Sequence, residues 1–151
     1  MSNKELSRHQ IREMAVQALF PLIFNQDLSK QAAINHALTL NLFDQLDEEH
    51  EHFVPAYLDL LVSGVCEYQS SLDQLIESHL RSGWKISRLS KMDVTILRLA
   101  LFEMLYVEDV PNAVALNEAI ELAKTFSDEK SRRFVNGVLS AINQELKEKS
   151  E

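Results

Sequence analysis

The sequence is poor in the residues that tight turns and phosphate-binding loops require. Its 151 residues include only three glycines and three prolines. Because β-hairpins and glycine-rich loops depend on these residues, their scarcity favours an all-helical fold. The single cysteine, Cys66, excludes an internal disulfide bond, and we expect it to be a small buried hydrophobic residue.

The sequence also lacks the marks of a membrane or secreted protein. No apolar run reaches the length that spans a bilayer, and no basic segment followed by an apolar run opens the chain. A lone cysteine suits a reducing compartment. We therefore expect a cytoplasmic, soluble protein that does not associate with a membrane.

Positive charge is the minority charge. Fifteen lysines and arginines stand against 23 acids, for a net charge of −8. This balance argues against a protein that coats nucleic acid without specificity. The charge is uneven, since residues 44–52 hold five acids and no lysine or arginine. Between Arg81 and Arg98 the balance reverses, with Asp93 as the only acid.

Patterns typical of catalytic and metal sites are missing too. The sequence has no G-x-S-x-G, H-E-x-x-H, Walker A or G-x-G-x-x-G pattern. His50 and His52 flank Glu51, but on a helix they would lie on different faces, and no third ligand is near in sequence. We expect no enzymatic activity, no metal and no cofactor.

Apolar residues recur with helical spacing along most of the chain. This periodicity predicts six or seven helices in one domain, residues 1–151, with frayed ends at about 1–6 and 147–151. Pro21 is expected to kink or end the first helix. The helix over about 53–80 is expected to break near Gly64 or Ser70. The predicted helices cover about 7–26, 29–40, 53–80, 90–107, 112–125 and 127–146.

Two basic clusters suggest binding of an anionic ligand. Arg8 and Arg12 are four residues apart, so both could project from one helix face, with His9 beside them. The alternative is a solvated helix start. The two clusters would reinforce each other if the first and last helices packed side by side.

The second cluster lies where the last helix begins. Lys130, Arg132 and Arg133 precede Phe134, and a helix N-terminus itself favours anions. Phe134 could stack on an unpaired base, or it could be a core residue.

Asn117 and Asn136 occupy positions of their helices where apolar residues are expected. A buried amide costs roughly 1–3 kcal/mol unless it is hydrogen-bonded. The two residues therefore predict a polar network between helices.

Several ordered segments resemble the NusB family of transcription antitermination factors. The matching segments are Ser7–Leu19, Asp93–Ala100 with Glu103, Asp109–Pro111, Val114–Lys124 and Phe134–Leu139. The resemblance implies an all-α fold of two packed helical bundles and a protein that is not an enzyme. It also implies recognition of single-stranded boxA RNA in ribosomal RNA leaders. The implied partners are the ribosomal protein NusE and, through it, the RNA polymerase antitermination complex.

The resemblance assigns roles to individual residues. It implies RNA contacts at two sets of positions: Arg8, His9, Arg12, Lys130, Arg133 and Phe134. It implies contact with NusE at Phe20 and Asp93, and structural roles for Arg98, Asn117, Glu118, Asn136 and Gly137, the last allowing close helix approach. The residues alone leave a second hypothesis open, a helical protein–protein adaptor whose acidic surface serves a basic partner without touching RNA.

Overall fold

A computed structural model describes residues 6–42 and 54–149, and these residues form six α-helices. No β-strand occurs in this part of the chain, so the all-α prediction is confirmed. The acidic stretch with His50 and His52 lies outside the described residues. The helices are α1 (Arg8–Phe24), α2 (Lys30–Leu42), α3 (Ala56–Glu77), α4 (Lys91–Tyr106), α5 (Asn112–Phe126) and α6 (Glu129–Lys149).

The chain divides into two units between Gly64 and Val65, inside α3. In the first unit α1 packs on α2. Apolar residues with helical spacing are buried there: Ile11, Ala15, Ala18 and Leu19 on α1, and Ala33, Ile34, Ala37 and Leu38 on α2. The hydrophobic effect of joining these two stripes stabilises this unit.

Local capping sets where α1 begins, and a proline sits near its end. The Ser7 hydroxyl accepts a hydrogen bond from the Gln10 N–H at 3.1 Å, and the Gln10 side chain accepts from the Ser7 N–H at 2.9 Å. This reciprocal pair is a capping box, which fixes the first turn of the helix. Pro21 lies inside α1, which ends at Phe24, three residues later. The helix therefore continues past Pro21 and ends two residues before the predicted end at about residue 26.

In the second unit α4 packs against both α5 and α6, which also pack on each other. Every residue of α4 from Asp93 to Met104 is buried. Burial on all sides is typical of a helix at the centre of a bundle. α4 begins at a side-chain cap, where the Ser90 hydroxyl accepts from the Asp93 N–H at 3.0 Å.

A partly buried ion pair joins α4 to α3 within this second unit. Arg98 donates from Nε to Asp73 Oδ1 at 2.7 Å and from a terminal nitrogen to Oδ2 at 2.9 Å. Such a two-point contact fixes the geometry of both side chains. The structural role expected of Arg98 is explained by this pairing.

The long helix α3 corrects one prediction. It runs without a break from Ala56 to Glu77, through both suspected weak points. Gly64 is buried inside it, and the Ser71 hydroxyl donates to the carbonyl of Tyr68 at 3.0 Å. The serine thus bonds to its own helix and leaves α3 intact. Cys66, on the same helix, is half-buried where we expected full burial.

The two asparagines also differ from their prediction, because both are exposed. The buried stripe of α5 consists of Ala115, Ala119, Leu122 and Ala123, and that of α6 of Val135, Val138, Leu139 and Ile142. Both asparagines lie off these stripes. Asn112 of α5 makes a polar contact with α6, since its side chain donates to that of Asn143 at 3.2 Å.

The resemblance implied that Gly137 allows two helices to approach closely, and the structure shows no such contact. A Cβ atom placed on it would meet no atom within 4 Å. Gly137→Ala is therefore expected to raise the free energy of unfolding by about 1 kcal/mol, because alanine favours a helix over glycine by that amount. Urea unfolding followed by circular dichroism measures the change.

Gly83→Ala is the matched control for Gly137→Ala. Gly83 also has open space around it, but its φ of 84° lies in the left-handed region. There alanine is expected to cost about 1 kcal/mol. A loss of stability in both variants would contradict the assignment of Gly137 to an uncrowded helix face.

Candidate nucleic-acid interface

The start of α6 presents an exposed basic surface. Lys130 is exposed, and the Arg133 side chain is 79% exposed. Phe134 is half-buried, so part of its ring stays accessible beside these cations. The Asp128 carboxylate accepts from the Ser131 N–H at 2.8 Å and so caps the helix. We name the set of Lys130, Arg133 and Phe134 the α6 cluster.

Glu129 partly neutralises the positive charge of this surface. The sequence alone had not pointed to this residue. Its carboxylate bonds to Arg132 and lies 3.6 Å from Arg133 Nε. The hydrogen bond from Arg132, followed by the positive charges of Arg132, Arg133 and Lys124, lowers the pKa of Glu129. The sequence could have indicated these contacts, because Arg132 and Arg133 follow Glu129 by three and four residues on one helix, the spacings at which side chains meet.

The start of α1 holds the second predicted set, Arg8, His9 and Arg12. Arg8 is exposed, and its guanidinium carbon lies 4.2 Å from the centroid of the Tyr57 ring, a cation–π contact. His9 is partly exposed, and its Nε2 lies 3.7 Å from a carboxylate oxygen of Glu13. The structure therefore leaves two of the three predicted residues at the surface.

Arg12 is a correction to the expectation of one exposed basic face. It is buried, with an exposed fraction of 3%. The reason is that the apolar face of α1 is broad: Ile11, Met14, Ala15 and Val16 are buried around position 12. Arg12 therefore does not present a surface cation beside Arg8.

The two residues assigned to a protein partner have different surroundings. Phe20 is half-buried and meets the Phe24 ring edge to face, with 5.0 Å between centroids. Phe24 is 63% exposed and was not predicted as a site residue. The sequence does place it four residues after Phe20, the spacing at which two side chains of one helix meet. Together the two rings form an aromatic surface at the end of α1.

Asp93 is buried, with an exposed fraction of 8%. Its Oδ1 atom has no hydrogen-bond partner among the described residues. A buried acceptor without a donor is unfavourable, so this carboxylate would gain from a donor supplied by another molecule.

Other candidate chemistry is not visible in the described residues. They hold no group of three or more histidine, cysteine or acidic side chains placed to bind a metal ion. None of their helices combines the length and hydropathy needed to cross a membrane.

The described residues thus form an all-α protein with exposed cations at the starts of α1 and α6. Its sequence matches the NusB family over residues 9–144. The chain belongs to the NusB family, and the resemblance drawn from its motifs is confirmed.

Relatives of known name agree with this assignment. Transcription antitermination protein NusB of Enterococcus faecalis (strain ATCC 700802 / V583) is 58% identical over 146 residues, which cover 97% of this chain and 95% of the relative. The protein of the same name from Latilactobacillus sakei subsp. sakei (strain 23K) is 51% identical over 134 residues, covering 89% and 94%.

Solved structures confirm the fold. NusB of T. maritima superposes with a TM-score of 0.78 at 33% identity, covering 93% of each chain. A chain in the crystal structure of antitermination factors NusB and NusE in complex with dsRNA gives a TM-score of 0.76 at 24% identity, covering 91% of this chain and 96% of that one. At this identity the second likeness concerns the fold alone.

Proposed function

We propose that this protein is a transcription antitermination factor that binds boxA-type RNA of ribosomal RNA leaders together with NusE. It acts in the cytoplasm, as one domain, by binding and without catalysis, within the antitermination complex of RNA polymerase. The observation that carries the proposal is the α6 cluster, where two exposed cations and an accessible ring adjoin a helix N-terminus. The names of the relatives support the same role.

The chemistry of the α6 cluster suits an RNA chain. Lys130 and Arg133 would contact phosphates, which position the RNA without reading its sequence. The Phe134 ring would stack on an unpaired base, a mode that single-stranded RNA allows. Arg8 and His9 add further contacts from α1, whereas Arg12 is buried and is left out of the proposed contacts.

Phe20 and Asp93 are proposed to contact NusE. The exposed edge of the Phe20 and Phe24 pair offers apolar surface, and aromatic residues are common anchors at protein interfaces. A side-chain rotation that brings Asp93 out to a cationic group of the partner would satisfy its buried oxygen.

Titration with boxA RNA and with a scrambled RNA, in the presence and absence of NusE, tests the proposal. We expect boxA to bind more tightly than the scrambled RNA and both to weaken as salt rises. Equal affinities under every condition would contradict boxA recognition. A photoreactive RNA that never cross-links to Phe134 would favour the adaptor hypothesis instead.

Glu129→Gln is expected to tighten RNA binding at neutral pH about 3- to 10-fold at low salt, because it removes a negative charge and releases two arginines. The lowered pKa keeps this carboxylate ionised at neutral pH, so acidification imitates the substitution only as pH falls through that lowered pKa. Fluorescence anisotropy of labelled RNA measures the affinity.

Glu148→Gln is the matched control for Glu129→Gln, since it removes the same charge from an exposed residue near the other end of α6. Its RNA affinity is expected to stay close to that of the unchanged protein. An equal gain in both variants would show that only net charge matters.

A further inference from the structure

The connector between α3 and α4 carries a basic and aromatic cluster that lies outside the proposed RNA contacts. Its four members are exposed: Arg81, Trp84, Lys85 and Arg88. We name them the connector cluster. Trp84 is 37% exposed, although tryptophan side chains are on average mostly buried. An exposed indole among cations is a suitable surface for a ligand that is both anionic and flat.

Hydrogen bonds hold the backbone of this connector in place. The Trp84 N–H donates to the Arg81 carbonyl at 2.9 Å, and Gly83 supplies the left-handed conformation that the turn requires. The Ile86 N–H donates to the Glu77 carboxylate at 2.7 Å, ahead of a single 3-10 turn, Ile86–Arg88. The ring and the cations are therefore presented from an ordered turn.

The two arginines lie near the indole without being held tightly. Their guanidinium carbons are 5.9 Å (Arg81) and 5.8 Å (Arg88) from the centroid of the Trp84 ring. These distances are close to the limit of about 6 Å for a cation–π contact. A ligand could therefore occupy the ring face at little cost.

The cations of the connector cluster are not paired with acidic side chains in the described part of the chain. Within residues 6–42 and 54–149, Arg81, Lys85 and Arg88 form no ion pair with a carboxylate. Arg132 and Arg133, by contrast, share Glu129. On a protein of net charge −8, such a patch attracts an anion locally.

We propose that the connector cluster is a second contact site for single-stranded RNA, made of residues other than those proposed for the starts of α1 and α6. A base stacks on Trp84 while Arg81 and Arg88 contact the flanking phosphates, the combination found in proteins that bind single strands with little sequence preference. The proposal rests on the proposed RNA-binding function but does not require boxA recognition. An acidic protein segment would use the cations and leave the indole without a stacking partner.

Trp84 itself reports on this site, because it is the only tryptophan in the chain. Titration with a short oligouridylate at low salt is expected to quench indole fluorescence, and added salt is expected to reverse the quenching. Trp84→Ala should weaken binding of labelled oligouridylate by on the order of 10-fold. The double variant Arg81→Gln/Arg88→Gln should reduce the slope of log affinity against log salt by about 1.4.

Lys147→Gln/Lys149→Gln is the charge-matched control, and it should leave both quenching and slope unchanged. No quenching at low salt would overturn the proposal, and so would quenching that Arg81→Gln/Arg88→Gln leaves unaltered. Oligoglutamate that changes the indole emission as strongly as oligouridylate would also overturn it. Circular dichroism of each variant checks that the helices are retained.

The failure of this proposal is distinguishable from the failure of boxA recognition. Quenching by oligouridylate with no preference for boxA would leave the connector site standing and refute the boxA proposal. Selective boxA binding without quenching by oligouridylate would refute the connector site and leave the boxA proposal standing. Lys130→Gln/Arg133→Gln should weaken boxA binding and leave the quenching intact.

Discussion

Lys130→Gln/Arg133→Gln is expected to lower the affinity for boxA RNA by one to two orders of magnitude at low salt. Each lost phosphate contact removes about 0.7 from the slope of log affinity against log salt for a single strand, so the slope should fall by about 1.4. The effect should shrink as salt rises. Anisotropy titrations over a range of salt concentrations give both quantities.

The control for this variant lies on the same helix. Lys147→Gln/Lys149→Gln removes the same charge from the other end of α6, where Lys149 lies 3.9 Å from Glu145. Its boxA affinity is expected to change by less than about 3-fold, since only a general field effect remains. Equal losses in the two double variants would contradict a localised RNA contact at the α6 cluster.

Asp73→Ala is expected to lower the free energy of unfolding by about 3 kcal/mol, because it leaves the buried Arg98 guanidinium without its counter-charge. We take the lower end of the range for such losses because the Asp73 side chain is 22% exposed. Urea unfolding followed by circular dichroism measures the loss. RNA affinity at a temperature where the variant remains folded should be unchanged.

Two further variants test whether the loss of stability in Asp73→Ala comes from leaving a buried charge unpaired or from the loss of a charge in general. Asp73→Leu/Arg98→Met removes both charges and is expected to recover much of the stability, since apolar residues can replace such a pair. Glu121→Gln breaks the exposed pair with Lys124, whose atoms are 3.9 Å apart, and should cost less than about 1 kcal/mol. A loss in Glu121→Gln as large as in Asp73→Ala would contradict the assigned importance of burial.

The helices of the described chain could be predicted from sequence because local interactions set their positions. Apolar spacing marks the buried faces, and Ser7, Ser29 and Ser90 each cap a helix start as their residue type suggests. The uninterrupted α3 could not be predicted in this way. Whether a glycine breaks a helix depends on the packing around it, and Gly64 is buried.

The site was less predictable because sequence spacing does not measure the width of a buried face. Arg8 and Arg12 share a helix face by spacing. Of these two residues, however, only Arg12 lies within the buried face of α1. Asn117 and Gly137 show the opposite error, since both were assigned to packed positions and both are exposed. The partner of Arg98 was also out of reach, because Asp73 is 25 residues away on another helix.

The central claim is that the starts of α1 and α6 contact the same RNA molecule. Cross-linking of boxA RNA carrying photoreactive uridines, followed by mass spectrometry of the peptides, tests it most directly. We expect cross-linked peptides from the segment with Arg8 and His9 and from the segment with Lys130, Arg133 and Phe134, both reduced by excess unlabelled boxA RNA. Cross-links that omit either segment, or that scrambled RNA suppresses equally well, would contradict the claim.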